Sequence, residues 1–228
     1  MAPDGDGPLN AAPSCIAVFD LDGTITRHDT MVPYLQGWVR RHPLRAAALA
    51  LVPLQLLAYG LGGRDRGRLK TQLLRAFMGG ASRRHVEAWT REFVAATIDR
   101  RLCPRVRSVI DAHRAAGDHL VLLSASVDLY VPAIGTALGF DEAVCTGVAW
   151  NGERLSGRLV TENRRGAEKA RVVAELRQRY PLAHLVAYGN AESDFPHLRL
   201  VDEAHLVNAP PKLRDIAATL GWRCADWR

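Results

Sequence analysis

The segment Ile16–Thr26, IAVFDLDGTIT, constrains the fold of this chain most, because its apolar run stops at two carboxylates one residue apart. Short apolar runs are typical of strands buried in parallel sheets, which bind ligands at the carboxyl ends of their strands. Asp20 and Asp22 are therefore expected together at the mouth of a sheet. A hard cation such as Mg²⁺ would relieve their mutual repulsion, whereas a simple Asp-Gly turn is the alternative.

Two later apolar runs are also followed by polar side chains. The run His119–Leu123 predicts a second strand, and Ser124 with its small neighbour Ala125 follows it directly. A hydroxyl and exposed backbone amides in a tight turn suit phosphate oxygens, although serine also ends many strands without such a role. The run His184–Gly189 predicts another strand, and oxygen-bearing side chains follow it: Asn190, Glu192 and Asp194. These oxygens suit a hard metal ion, and an acidic surface loop is the alternative.

Lys169 is expected in the first turn of a helix, because Gly166 and Glu168 precede a helical pattern that continues to Leu176. An ammonium there faces the positive end of the helix dipole, which favours a nearby anion; a solvated surface lysine is the alternative. Strands that alternate with helices indicate a parallel sheet whose carboxyl ends share one edge. That edge would collect two carboxylates, a hydroxyl, an ammonium and an acidic loop, which is the composition of a metal and phosphate site.

The order of these motifs, D-x-D-G-T, serine after a strand, lysine, and G-(D/N)-x-x-x-D, resembles the haloacid dehalogenase (HAD) superfamily of phosphotransferases. Its phosphoserine-phosphatase-like branch, subfamily IB, is the most similar, over about residues 15–228. The resemblance includes a C-terminal pattern: Val207-Asn208, Leu213, Ala217 and Gly221-Trp222. It implies an α/β fold with a Rossmann-like, doubly wound parallel sheet core, formed by residues 15–26 and 119–228. It also implies an inserted α-helical cap domain at residues 27–118.

By this resemblance, Asp20 is the nucleophile that forms an aspartyl-phosphate, and Asp22 is the general acid and then the general base. Ser124, Lys169 and backbone amides such as that of Ala125 would bind the phosphoryl group. The ligands implied for Mg²⁺ are oxygens of these residues: Asp20, Asp22 through its backbone carbonyl, Asn190 and Asp194. Many relatives carry Asp where this chain has Asn190, so we expect weaker Mg²⁺ binding in an enzyme that is still active.

Composition sets broad limits on the class of protein. With 228 residues, of which 48% are hydrophobic and 24% charged, the chain can bury the core of one large domain. The cysteines are scattered, without a C-x-x-C pair: Cys15, Cys103, Cys145 and Cys224. This argues against a zinc or thiol redox site and suits the reducing cytoplasm. Residues 1–14 are rich in Pro, Gly and Asp and lack the apolar segment of a secretion signal, so we predict a disordered tail.

The inserted segment 27–118 predicts helices, which we place at 32–41, 43–59, 64–78, 82–99 and 104–116. It carries 17 Lys/Arg and 7 Asp/Glu, a net charge of +10, whereas the rest of the chain carries −4 of the overall +6. The positive charge indicates a solvated face, an opening that attracts anions, or a nucleic-acid patch. No recognition-helix or RNA-binding motif accompanies it, so we expect no nucleic-acid partner.

Within the insert, Ala46–Leu61 is apolar over 16 positions, interrupted by Pro53 and flanked by arginines. It is too short to span a membrane. A buried cap helix is the favoured interpretation, and an interfacial helix attracted to anionic lipid is the alternative. The second interpretation implies peripheral contact with the inner membrane face. This pattern resembles the bacterial phosphatidylglycerophosphate phosphatases of the same branch.

The leading functional hypothesis is a Mg²⁺-dependent phosphomonoesterase acting on a small phosphate ester similar to phosphoserine or histidinol phosphate. Asp29 stands where phosphoserine phosphatases carry a glutamate that recognises the substrate amine, although it equally suits a helix N-cap. Three alternatives remain open. They are a phosphatase of a membrane lipid phosphate, a phosphotransferase or mutase, and a catalytically silent binding protein. Retention of the charged motifs together argues against the last.

Overall fold

The computed structural model of this protein describes residues 12–51, 53, 59–60 and 65–228. The first half contains β1 (Cys15–Phe19), α1 (Met31–Arg41), a 3-10 helix (Pro43–Leu51), α2 (Arg66–Met78), α3 (Arg83–Arg100) and α4 (Val106–Ala115). The second half contains β2 (His119–Val127), α5 (Val131–Leu138), β3 (Glu142–Thr146), β4 (Val148–Asn151), β5 (Arg154–Leu159), α6 (Ala167–Arg179) and β6 (His184–Gly189). It ends with a 3-10 turn (Glu192–Asp194), α7 (Phe195–Leu198), β7 (Glu203–Val207), α8 (Pro211–Thr219) and β8 (Arg223–Ala225).

The main sheet of the described residues has six strands in the order β3-β2-β1-β6-β7-β8, and every neighbouring pair is parallel. The first strand, β1, lies at the centre, where Ala17 pairs with Leu120 of β2 on one side and Val186 of β6 on the other. The chain winds outward from β1 in both directions. The predicted fold class, a doubly wound α/β sheet, is therefore confirmed, and the carboxyl ends of β1, β2 and β6 are neighbours.

Both faces of the sheet are covered by apolar side chains, which explains why its strands are apolar runs rather than alternating ones. In β1, Ala17 and Phe19 face the side that packs against the helical insert and α5, whereas Ile16 and Val18 face the side covered by α6, α7 and α8. These four side chains are fully buried. The central strand is thus fixed from both sides, and the residues that follow it have a defined position.

The helical insert follows the predicted pattern closely for the helices α1, α2, α3 and α4, whose bounds agree within two residues. The prediction of one α-helix over 43–59 differs from the structure at its beginning. Residues Pro43–Leu51 form a 3-10 helix, in which hydrogen bonds join residues three apart rather than four apart. Seven of the 16 positions of the apolar run Ala46–Leu61 lie outside the described residues, so the choice between a buried and an interfacial helix remains a prediction. None of the helices that the structure describes is both long and apolar enough to cross a membrane.

The antiparallel hairpin β4–β5, which packs against the insert, is not among the elements predicted from the sequence. Backbone hydrogen bonds join the two: Gly80 N donates to Leu155 O at 2.8 Å, and Leu155 N donates to Ala81 O at 2.9 Å. In addition, Arg83 N donates to Glu153 O at 2.9 Å. The hairpin therefore ties the α2–α3 connection of the insert to the part of the chain that carries β3 and α6.

We expected the second strand to end at Leu123, but β2 continues to Val127. Its pairing with β3 shifts between Leu123 and Val127, which is the signature of a bulge, so Ser124 lies inside an irregular strand end rather than beyond it. The predicted disordered tail, residues 1–14, lies outside the described residues up to position 11. Within the described part, the Ser14 carbonyl accepts a hydrogen bond from His184 N at 2.9 Å.

Candidate active site

A cleft of about 530 Å³ opens at the carboxyl ends of β1, β2 and β6, and we call it the central cleft. Core residues line one wall: Asp20, Asp22, Ala125, Ser126, Lys169, Asn190 and Asp194. Residues of the helical insert line the other, among them His28, Asp29, Arg66, Leu69 and Lys70. The structure therefore brings most of the predicted site residues into one cavity of the size that small-molecule ligands occupy.

Asp20 lies directly after β1 and is buried, with 6% of its surface exposed. Its Oδ1 accepts a hydrogen bond from Lys169 Nζ at 2.5 Å, and its Oδ2 accepts one from Thr24 Oγ1 at 3.1 Å. Burial raises the pKa of Asp20 to about 7, although the Lys169 ammonium acts in the opposite direction. A cation beside the carboxylate would offset the cost of burying its charge.

Lys169 is the third residue of α6, and its buried ammonium joins two carboxylates. Besides Asp20, it donates to Asp194 Oδ1 at 2.8 Å. Although burial opposes it, the carboxylates of Asp194 and Asp20 raise the pKa of Lys169. In turn, the Lys169 ammonium lowers the pKa of Asp194 to about 2, although burial acts in the opposite direction. The position of Lys169 in the first turn of α6 favours a nearby anion, and the carboxylates of Asp20 and Asp194 fill that role.

Asp194 also organises the loop after β6. Its Oδ2 accepts hydrogen bonds from Asn190 N at 3.0 Å and Ala191 N at 3.1 Å. Both carboxylate oxygens are therefore engaged, one by Lys169 and one by backbone amides. The geometry favours Asp194 as the residue that positions Lys169 and Asn190. Glu192, which was also considered as an oxygen donor, is exposed and does not line the cleft.

Asp22 is held by three hydrogen bonds that the sequence did not predict. Its Oδ1 accepts from Thr30 N at 2.7 Å and Thr30 Oγ1 at 2.6 Å, and its Oδ2 accepts from Ser126 Oγ at 2.6 Å. The buried Tyr130 hydroxyl lies 3.0 Å from Thr30 Oγ1 and extends this network. Burial and the nearby Asp29 raise the pKa of Asp22, against the effect of the hydrogen bonds from Ser126 and Thr30.

Ser124, predicted to contact phosphate, is fully buried and does not line the central cleft. Its Oγ accepts a hydrogen bond from Ser126 N at 3.0 Å. Ala125 and Ser126 line the cleft instead. Because side chains two positions apart in a strand point to the same face, the prediction for Ser124 could have been extended to Ser126 from the sequence.

Lys70 of α2 is a second residue that the sequence analysis did not select. Its Nζ donates to Asn163 Oδ1 at 2.7 Å and also to the Ala125 carbonyl. It thereby connects the helical insert to the end of β2 and to the loop before α6. Burial lowers the pKa of Lys70 to about 8.

Asp29 lies at the opening of the central cleft and is exposed. Its Oδ1 accepts a hydrogen bond from Val32 N at 3.0 Å, which is the helix-capping role considered as one of its two interpretations. The same side chain also lines the cleft, so this hydrogen bond does not prevent Asp29 from contacting a substrate amine, and that role stays a prediction.

Gly23 allows the D-x-D-G turn to approach the loop after β6. Its φ is +87°, and a Cβ added there would lie 2.0 Å from Asn190 Nδ2. Only glycine combines this backbone conformation with so close a contact. The approach brings the Asn190 side chain beside the turn that carries Asp20 and Asp22.

The residues at this edge offer oxygen donors that suit Mg²⁺. They are the Asp20 carboxylate, the Asp22 backbone carbonyl and the Asn190 side-chain oxygen, all of the hard type that this ion prefers. No cluster of three or more His, Cys, Asp or Glu arranged for a metal occurs among the residues that the structure describes. The three oxygen donors named above include only one side chain of these types, the Asp20 carboxylate, so they do not form a cluster of this kind. The buried charge on Asp20, whose pKa burial raises, is what a cation would stabilise.

Comparisons with known proteins agree with this architecture. Residues 17–199 match the haloacid dehalogenase-like hydrolase family. Protein CicA of Caulobacter vibrioides is 33% identical over 200 residues, which cover 86% of this chain and 87% of that protein. Phosphoserine phosphatase SerB1 of Mycobacterium tuberculosis is 27% identical over 220 residues, 93% of this chain and 70% of that protein.

Solved structures share the fold. A protein of unknown function from Bordetella pertussis Tohama I superposes with a TM-score of 0.81 at 24% identity, over 95% of this chain and 100% of that one. A phosphoserine phosphatase captured as a phospho-aspartyl intermediate analogue superposes with a TM-score of 0.65 at 15% identity, over 95% and 94% of the two chains.

Proposed function

Because the chain belongs to the haloacid dehalogenase-like hydrolase family, we propose that it is a Mg²⁺-dependent phosphatase that hydrolyses a small phosphate ester through Asp20. The observation that carries the proposal is the contact of 2.5 Å between Lys169 Nζ and Asp20 Oδ1, with Asp22 held two residues away on the same cleft wall. The names of relatives that are phosphatases, such as the phosphoserine phosphatase of M. tuberculosis, support the reaction class.

In the first step, a carboxylate oxygen of Asp20 attacks phosphorus, and the bond from phosphorus to the ester oxygen breaks. Asp22, with its raised pKa, donates a proton to the leaving alcohol. Lys169 neutralises charge on the carboxylate and the phosphoryl oxygens. Positioning and charge stabilisation account for most of the acceleration in phosphoryl transfer, and the buried ion pairs provide both.

In the second step, Asp22 takes a proton from a water molecule that attacks the aspartyl-phosphate. The bond between phosphorus and the Asp20 oxygen breaks, which releases inorganic phosphate and restores the carboxylate. Mg²⁺ bound by the Asp20 carboxylate, the Asp22 carbonyl and Asn190 would supply positive charge that stabilises the phosphoryl oxygens. Ser126 and Thr30 keep Asp22 oriented through both proton transfers.

The test is a phosphate-release screen over amino-alcohol phosphates, sugar phosphates and lipid phosphates, run with Mg²⁺ and with EDTA. We expect activity that requires Mg²⁺, and Asp20→Asn should lower kcat by at least ~10³-fold, about 4 kcal/mol of barrier. Asp215→Asn, a change of the same kind at a surface position, is the matched control. Retention of more than about a tenth of the turnover in Asp20→Asn would exclude the covalent mechanism.

A further inference from the structure

Asn208, the residue directly after β7, makes hydrogen bonds that the proposed reaction does not use. It belongs to the Val207-Asn208 part of the C-terminal sequence pattern, and only 6% of its surface is exposed. Its φ of +54° lies in the left-handed region, where it is the only non-glycine residue in the described part of the chain. Asparagine tolerates this conformation better than most residues, and such a backbone persists where the surrounding contacts hold it.

The side-chain amide of Asn208 joins two segments that are distant in the sequence. Its Nδ2 donates to the Gly23 carbonyl at 2.8 Å, and its Oδ1 accepts from Trp227 N at 2.7 Å. Because one partner is a carbonyl and the other an N–H group, the amide fits in one orientation only. The same nitrogen lies 3.5 Å from the Cys103 sulfur. Both polar atoms of this buried side chain therefore have a partner.

Trp227 anchors this arrangement from outside the cleft. Its side chain is buried, and its ring centroid lies 5.3 Å from that of Tyr188 in β6 and 6.5 Å from that of Phe19 in β1. The backbone nitrogen of Asn208 donates to Ala225 O of β8 at 2.9 Å. The position of the amide is thus fixed by the core and by the β8 side of the sheet.

Gly23, the partner of this amide, lies in the turn that carries Asp20 and Asp22. The next residue, Thr24, is fully buried, and its Oγ1 donates to Asp20 Oδ2 at 3.1 Å. A hydrogen bond to the Gly23 carbonyl fixes the peptide plane between Gly23 and Thr24. It thereby determines where the Thr24 hydroxyl holds the Asp20 carboxylate.

We propose that Asn208 is a positioning residue for the reaction at Asp20. Its amide, oriented by Trp227, holds the Gly23 carbonyl and through it the turn that directs the Asp20 carboxylate. Asn208 does not line the central cleft, so it acts without touching the substrate. In-line attack on phosphorus requires a fixed direction of the attacking oxygen, so a small rotation of the turn slows turnover more than it weakens binding. This inference rests on the proposed phosphatase function and adds a residue from outside the cleft.

Asn208→Asp tests the hydrogen-bond donor alone. The carboxylate keeps the size of the side chain and an oxygen for Trp227 N but cannot donate to Gly23 O, and the Arg228 guanidinium on the Asn208 carbonyl favours its ionised form. On the best substrate of the screen, kcat should fall roughly tenfold and KM change less than about twofold. Asn208→Gly, which adopts a positive φ without strain, should lose as much. Asn151→Asp, the same change at an exposed strand end, is the matched control.

A purely structural role gives a different result. If Asn208 only anchored Trp227, Asn208→Asp would keep the wild-type kcat and Asn208→Gly alone would lose it, which would overturn the inference. A rise in KM with unchanged kcat in both variants would overturn it as well. Melting temperatures identify variants that are partly unfolded, and the kinetics are compared well below the lowest of them.

A double-mutant cycle tests the route through Thr24. Thr24→Val removes the hydroxyl that holds Asp20 Oδ2 and keeps the shape of the side chain. If Asn208 acts through this contact, adding Asn208→Gly to Thr24→Val should lower kcat by less than about threefold more, instead of by a further tenfold. Losses whose factors multiply would show that Asn208 does not act through the turn.

Hydrogen exchange separates this inference from the proposed function, because it needs no substrate. In Asn208→Gly, the backbone amides of segment 20–26 should exchange several-fold faster, and those of helix α5 should not change. If the wild type hydrolyses none of the esters but this difference appears, the phosphatase proposal fails and the positioning of the turn by Asn208 stands. If exchange in segment 20–26 stays the same, the inference fails even where turnover is lost.

Discussion

At the scale of single residues, the orientation of Asp22 depends on side chains that come from distant parts of the chain. Thr30 engages one carboxylate oxygen of Asp22, and Ser126, 104 positions after Asp22 in the sequence, engages the other. A proton donor must point at the leaving oxygen in the first step and at water in the second. We infer that Ser126 and Thr30 maintain this direction, while the Ser124 hydroxyl supports Ser126 by accepting a hydrogen bond from the Ser126 backbone amide.

Ser126→Ala should therefore lower kcat about tenfold with little change in KM. Asp22 Oδ2 loses the hydrogen bond that holds it in place, while the cleft keeps its shape. Steady-state kinetics on the best substrate of the screen would measure both parameters. Ser126→Thr preserves the hydroxyl and should retain most of the turnover. If the alanine variant instead raised KM and left kcat unchanged, Ser126 would bind substrate rather than position Asp22.

At the scale of elements, Lys70 joins the insert to the core at the edge of the cleft. Burial lowers the pKa of its ammonium to about 8, and the charged or titratable groups that face it are Asp22, Asp29, Arg165 and Cys145. Below that pH the side chain is a cation, and above it the side chain is neutral. Lys70 therefore contributes attraction for an anionic substrate only on the acidic side of its pKa.

We expect kcat/KM for an anionic phosphate ester to fall as pH rises through about 8, while kcat changes less, because the free enzyme loses this charge. In Lys70→Arg the charge persists, so the decline near this pH should disappear. Lys212→Arg, on the exposed helix α8, is the matched control and should keep the wild-type profile. An unchanged profile in Lys70→Arg would assign the decline to another group.

The hairpin β4–β5 makes a second connection between elements, and Gly157 packs closely against Arg75 of α2. Its φ is +74°, and a Cβ there would lie 2.8 Å from the Arg75 backbone nitrogen. Gly152 in the same hairpin has a φ of +55° but open space around it. The two glycines therefore share the conformational requirement and differ in packing.

Urea denaturation should show that Gly157→Ala lowers the free energy of unfolding by about 2–3 kcal/mol and Gly152→Ala by only about 1 kcal/mol. The difference measures the packing of the hairpin against the insert. Equal losses would mean that α2 moves aside at little cost, and that the hairpin does not fix the insert.

At the scale of the whole molecule, charge is divided unevenly. The segment 27–118 carries a net +10 and the rest of the chain −4. The insert contributes one wall of the central cleft, so some of its basic side chains, such as Arg66 and Lys70, line the cavity that an anionic ester would enter. Such long-range attraction raises the rate of encounter and is screened by salt.

Raising the ionic strength from ~0.01 to ~0.3 M should lower kcat/KM for 4-nitrophenyl phosphate several-fold and leave kcat nearly constant. Phosphocholine, whose ammonium cancels part of the phosphate charge, should show a weaker dependence. A salt effect that appeared in kcat alone would indicate a change in the folded protein instead of steering.

Local sequence determines the fold class of this protein, the position of its carboxylate pair and most helix bounds of the insert. Alternating apolar strands and helices identified the doubly wound α/β fold, and the run that ends at Asp20 placed a carboxylate pair at the sheet edge. The ordered motifs also identified the family, and the helices of the insert began and ended near their prolines and glycines. These features depend on neighbouring residues, whose preferences add along the chain.

Other features were decided only by tertiary structure. The hydrogen bond from Ser126 to Asp22 and the placement of Lys70 against β2 join residues far apart in the sequence. No periodicity or spacing encodes such contacts. They arise because the buried sheet fixes where each strand ends, and the packing of the insert and the hairpin decides which side chains meet there.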